Sequence, residues 1–157
     1  MDQQAEIFVE RLRSLLADEE VESAVLPLIG PPQKSRIVRF MLPMADTGRE
    51  VQTDVAWSGF TPELDLLHLY AEVIPNPGGG ADALRTAAAA WNERCPMGFF
   101  NVSSRGSFVH RYTYPVPVGT GGETLAEETM RLLHVLSGLL SRYYPDAVLL
   151  AEQTADA

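Results

Sequence analysis

The chain has one cysteine, Cys95, and one lysine, Lys34, in 157 residues. A single thiol excludes an internal disulfide, so the fold must be held by its core. Histidines are few: His68, His110 and His134 each stand alone in their segment. Zinc sites draw on several nitrogen or sulfur ligands, often closely paired, and no such pairing is present. No apolar run approaches the ~20 residues that span a bilayer. The opening Met1-Asp2-Gln3-Gln4-Ala5-Glu6 lacks the basic region and apolar stretch of a signal peptide, so a cytoplasmic protein is expected.

Positive charge is also lacking. Twelve basic residues face 21 acidic ones, for a formal net charge of −9. The basic residues are scattered singly, whereas nucleic-acid binders cluster Lys and Arg to neutralise phosphates. Direct DNA or RNA binding is therefore not expected. An acidic surface favours a partner of opposite charge, such as a basic protein segment. What the chain does have is a 46% hydrophobic content, enough for one domain of this length to bury a sizeable core. The expected domain covers residues 1–150, with 151–157 as a frayed tail.

Periodicity supplies the elements. Ile7, Phe8, Leu12, Leu15 and Leu16 form one stripe of an opening amphipathic helix. Gly30-Pro31-Pro32 then imposes an irregular linker. Strands are predicted over Arg36–Leu42 and Glu50–Trp57, joined by a turn at Asp46-Thr47-Gly48. A third strand, Leu66–Ile74, is apolar on both faces and so belongs in the middle of a sheet. A second helix, Asp82–Glu93, carries four consecutive alanines, Ala87 to Ala90. A hairpin follows, Met97–Val102 and Ser107–Tyr114 around Ser103-Ser104-Arg105-Gly106, with Pro115 and Pro117 closing it. The last helix is predicted to start at a capping box of Thr124 and Glu127 and to stop at Pro145. The fold class is α+β, a single antiparallel five-stranded sheet in the order α-βββ-α-ββ-α. The second and third helices are expected on the same face of the sheet, because only one sheet exists to receive their apolar stripes.

Four segments invite a chemical reading, and each has a simpler one. Asp46-Thr47-Gly48 matches the aspartic-protease triplet, but Arg49-Glu50 follows it and Asp and Gly are common turn formers. Gly78-Gly79-Gly80 precedes a helix, yet no phosphate-binding lysine follows, and Asp82 would repel a phosphate and serve as a cap. Cys95 has no basic group placed to activate it and reads as a buried structural thiol. The lone histidines read as polar residues at a sheet surface. No catalytic residue, cofactor or metal is assigned. Trp57 and Trp91, with Leu67 and Tyr70 of the third strand, are the candidate partner-binding residues, since aromatic residues are enriched at interfaces.

The Ala88-Ala89-Ala90-Trp91-Asn92-Glu93 helix end resembles the YbjN-like family and the type III secretion chaperone fold. The resemblance continues through Phe99-Phe100-Asn101-Val102, the Ser104-Arg105-Gly106 turn, the Phe108–Tyr114 strand and the Leu-rich final helix. It covers most of the chain and rests on order and spacing; the Gly30-Pro31-Pro32 insertion and the Gly-rich loops depart from it. It implies a non-enzymatic, chaperone-like or adaptor protein that binds another protein, without cofactor, as a homodimer. Two alternatives stand beside that reading: an acidic adaptor docking on a basic nucleic-acid-handling protein, and a small ligand-binding protein or hydrolase with an unrecognised pocket.

Overall fold

A computed structural model describes residues 3–27 and 34–155. The elements are α1 (Gln3–Asp18), β1 (Ser23–Leu26), β2 (Ile37–Pro43), β3 (Glu50–Gly59), β4 (Leu64–Ile74), α2 (Ala81–Asn92), β5 (Phe99–Val102), β6 (Phe108–Pro117) and α3 (Gly122–Ala155). The six strands form one sheet in the order β1-β2-β3-β4-β6-β5, with every neighbouring pair antiparallel. The α+β class and the β2-β3-β4 meander are as expected, and β4 is interior. The count of five strands is corrected to six. β1 was missed because it has only four residues, all but one of them half-buried. The linker expected at Gly30-Pro31-Pro32 lies outside the described residues.

Alternation along the strands separates two faces. One carries Val38, Phe40, Leu42, Val51, Val55, Trp57, Leu67, Leu69, Ala71, Phe100 and Phe108, all buried. All three helices pack on this face. Phe8 of α1 meets Trp57 edge-on at 5.7 Å, and Trp91 of α2 and Tyr143 of α3 converge on Phe100. α3 also packs along α1 and touches β2 and β4.

Three local expectations are corrected by tertiary contacts. Thr124 lies inside α3, which starts at Gly122, so there is no capping box; the Gln4 side chain accepts the Gly122 N–H instead, at 2.8 Å. Pro145 does not stop α3. Proline removes one intrahelical bond, but the turns beyond it are held by burial: Ala147 is fully buried and Leu150 packs on the core. Residues 151–155 are accordingly helical, and only 156 and 157 of the expected tail lie outside the described residues. Pro115 and Pro117 sit within β6, opposite Leu66 and Leu64. β5 covers only Phe108–Arg111, so the prolines fall where β6 has a single neighbour, as strand prolines require.

Side chains close parts of the sheet margin. Asn92, the last residue of α2, donates from Nδ2 to the Phe100 carbonyl at 2.9 Å and accepts the Phe100 N–H at 2.7 Å. It thus occupies the position that a seventh strand would take beside β5. Past the end of β1, Ser137 of α3 donates to the Pro43 carbonyl at 2.6 Å and accepts the Ala45 N–H at 3.1 Å. Unpaired edges are templates for aggregation, and blocking them is a protective device.

α1 and α3 touch backbone to backbone at Gly122, where an added Cβ would lie 2.1 Å from the Gln4 carbonyl oxygen. Gly122→Ala should therefore force the helices apart and cost about 2 kcal/mol or more in urea unfolding. Gly138→Ala, in open space on the same helix, should be neutral or stabilising by up to about 1 kcal/mol. Replacing Asn92 by leucine should lower stability by about 1–3 kcal/mol, because two backbone groups of Phe100 lose their partners. Light scattering on heating should also detect earlier aggregation of that variant.

Candidate functional site

The four residues expected to bind a partner do not share a surface. Trp57 and Leu67 face the helices and are buried, which removes them from contact with a partner. Trp57 donates from Nε1 to Asp65 Oδ2 at 3.1 Å, and Asp65, only 1% exposed, also accepts from Lys34 Nζ at 2.9 Å. The single lysine of the chain thus neutralises a buried carboxylate, with its ammonium 5.6 Å from the Trp57 ring centre. A buried carboxylate needs this pairing. Trp91 is half-buried in an aromatic cluster with Phe100, Phe108 and Tyr143. The helix-ending Trp91-Asn92 pair therefore has two structural duties, one filling the cluster and the other closing the β5 edge.

Tyr70 alone of the four lies on the opposite face of the sheet. Among the described residues, no element covers that face. Cross-strand register assembles rows upon it. Arg39 and Asp54 form a two-pronged ion pair at 2.8 and 2.9 Å, and this neighbour, with Glu72 beyond it, raises the arginine pKa. In the same row Arg111 stacks over Tyr70, 5.0 Å from the ring centre, beside Phe99. The next row is Ala56, His68 and Thr113, with the His68 Nε2 sharing a 2.7 Å hydrogen bond with Ser58. Met41, Leu64, Leu66 and Phe99 add apolar surface; Phe99 is 47% exposed. A shallow hollow of about 280 Å³ lies at the centre, lined by Ile37, Asp54, Ala56, His68 and Tyr70.

The Ser58–His68 contact has the spacing of a nucleophile and its base. Its third neighbour, however, is the Thr113 hydroxyl at 3.5 Å, which is uncharged and cannot stabilise an imidazolium as a carboxylate does. Burial lowers the His68 pKa, so the ring is neutral at physiological pH and ties β3 to β4 and β6. Asp46-Thr47-Gly48 forms the expected turn, with Asp46 and Gly48 both at positive φ. Gly78–Gly80 is not a loose linker but a 3-10 turn that runs into α2, with Gly80 buried and no side-chain cap from Asp82, which pairs with Arg85. Cys95, half-buried, donates to the Met97 carbonyl at 3.2 Å. Among the described residues no three His, Cys, Asp or Glu side chains converge as a metal site requires.

A second concentration of charge lies at the end of α1, which sequence periodicity did not single out. The helix closes with the Glu20 N–H bonded to the Ala17 carbonyl and the Val21 N–H to that of Leu16, a Schellman motif. The left-handed position of this motif favours glycine, yet Glu20 holds it at φ 63. Asp18, Glu19, Glu20 and Glu22 also crowd the negative end of the helix dipole. Two shallow clefts of about 690 and 330 Å³ lie against α1, the first lined by Glu20, Glu22 and Arg13, the second by Glu6, Glu10, Arg13 and Arg36. The missed signal was local: four acids in five residues at a helix C-terminus, where basic residues are favoured.

No protein-family model matches the chain, and no curated protein matches it.

His110 was expected at a sheet surface and is instead fully buried. Its Nε2 bonds the Met97 carbonyl at 2.8 Å and its Nδ1 has no partner. Burial lowers its pKa from 6.5 to about 4. The folded state therefore binds a proton less readily than the unfolded chain. The associated stability is complete above pH 6.5 and is lost as pH falls toward 4, by about 3 kcal/mol in full. Urea unfolding followed between these pH values should show that slope, and His110→Gln should flatten it.

Proposed function

We propose that the protein is a non-enzymatic, chaperone-like adaptor that acts as a homodimer and receives a basic protein segment. The observation that carries this reading is the strained acidic end of α1. A non-glycine residue at positive φ and acids at a negative dipole end both cost stability. Local violations of this kind concentrate at functional positions. The cleft at the end of α1 is open and carries Glu20 and Glu22 against one arginine, Arg13, which suits extended basic chain better than an enclosed small molecule. Charge there would speed encounter, while apolar contacts such as those offered by Val21 and Val25 anchor the segment. The role agrees with the kind implied by the YbjN-like resemblance.

The test exploits the strain. Glu20→Gly should stabilise the protein by about 0.5–1 kcal/mol, because glycine adopts the left-handed position without penalty. It should at the same time weaken the partner. Affinity capture with quantitative mass spectrometry should recover a basic protein with the wild type and less of it with Glu20→Gly. Glu10→Lys combined with Glu22→Lys should abolish recovery. Rising salt should slow association of the recovered partner. Equal recovery by all three proteins, or tight binding of DNA by the purified chain in a gel shift, would defeat the reading.

A further inference from the structure

The uncovered face of the sheet differs in charge from the rest of the molecule. Its strand residues include five charged side chains: Arg39 and Arg111 against Glu50, Asp54 and Glu72. That is a net −1, so nearly all of the formal −9 lies on other surfaces. Two copies of a strongly acidic protein repel one another everywhere except across a neutral patch. A basic segment would gain little electrostatically on this face and is drawn to the α1 end instead.

Three of the five charges on the face, Arg39, Asp54 and Arg111, have a partner within one copy, and Glu72 lies in the field of Arg39. Arg39 is held by both oxygens of Asp54, and the Arg111 guanidinium lies over Tyr70. Covering a charge is costly when it is left unpaired and much less so when its partner is in place beforehand. His68 is neutral and hydrogen-bonded to Ser58. Glu50 stands at the start of β3, at the rim of the face. The rest of the face mixes the apolar Ile37, Met41, Leu64, Leu66 and Phe99 with the uncharged polar Gln52, Asn101 and Thr113.

Size and shape agree. With strands ~4.8 Å apart and ~3.4 Å per residue, six strands whose longest members have 10 and 11 residues present a face on the order of 800 Å². A stable protein–protein interface buries about 800 Å² on each partner. Association along the β5 side of the sheet is opposed by Asn92 and the prolines of β6, and on the other side only the four-residue β1 is open.

We infer that the open sheet face is the interface between two copies of this chain, packed face to face about a two-fold axis as a sandwich of two six-stranded sheets. Sheets packed in this way keep their strands within about 30° of each other and close the assembly at two copies. The α1 ends then point outward on both sides, free for the basic segment. The inference rests on the dimeric part of the proposed function, and the experiment separates the two.

Light scattering coupled to gel filtration is run on the wild type, on Met41→Glu, on Thr113→Glu and on Val135→Glu. Met41 and Thr113 lie on the open face and Val135 on the exposed side of α3; all three are exposed, so the folded monomer tolerates each change, and circular dichroism verifies this. The wild type and Val135→Glu should run at twice the chain mass of 17.2 kDa. Met41→Glu and Thr113→Glu should run at the chain mass, with the dissociation constant raised at least about 100-fold by an unpaired carboxylate at a buried interface. A dimer that survives both face substitutions overturns the interface while leaving the dimer intact. A wild type at 17.2 kDa at micromolar concentration overturns the interface and the dimer together.

Discussion

Everything in this molecule hangs on α3. Its 34 residues cross the inner face of the sheet and receive α1 along one flank and α2 and the 3-10 turn on the other. Leu125, Leu133, Leu136 and Leu140 of this helix are among the most deeply buried side chains. Isolated helices are marginal in water, and packing of an apolar face supplies most helical stability in proteins. That is why α3 persists through Pro145: the turn beyond the proline has Ala147 and Leu150 to bury. The same helix supplies Ser137 to the β2 edge and Tyr143 to the aromatic cluster, so it organises both ends of the sheet.

A one-sided sheet follows from having three helices and one apolar face to give them. The inner face holds two demanding polar groups: Asp65, satisfied by Trp57 and Lys34, and His110, bonded through Nε2 to the Met97 carbonyl. The outer face is left with residues matched to each other across strands: an ion pair, a stacked arginine and a hydrogen-bonded histidine. Opposite-charge and aromatic cross-strand pairs contribute a few tenths to about 1 kcal/mol each, so they help hold the register as well as shape the surface.

Most of the fold was legible because periodicity is a strong signal over long segments. The β2-β3-β4 meander, α2, the hairpin and the core of α3 stand within a few residues of their expected bounds. β1 was invisible because four residues, all but one half-buried, carry almost no pattern. The capping box and the stop at Pro145 failed for one reason: local rules were overridden by contacts from distant chain, Gln4 in one case and the buried end of α3 in the other. The candidate site was less legible than the fold. Large aromatics were expected to face a partner, yet Trp57 belongs to the core, and only Tyr70 came out on the open face. Which face of a two-sided apolar strand meets helices depends on where those helices dock, and β4 alone does not encode it. The acidic end of α1 was present in the letters, but its strain appears only in the backbone.

The Asn92 clasp on Phe100 has a consequence for how far association can proceed. A sheet with bare margins can add neighbour after neighbour, so its assemblies grow with concentration and have no natural size. Here one amide side chain terminates the ladder at β5, and proline and serine terminate it elsewhere. Growth past β5 is stopped, and the margin left at β1 is four residues long, with its Ser23 carbonyl already taken by Arg13.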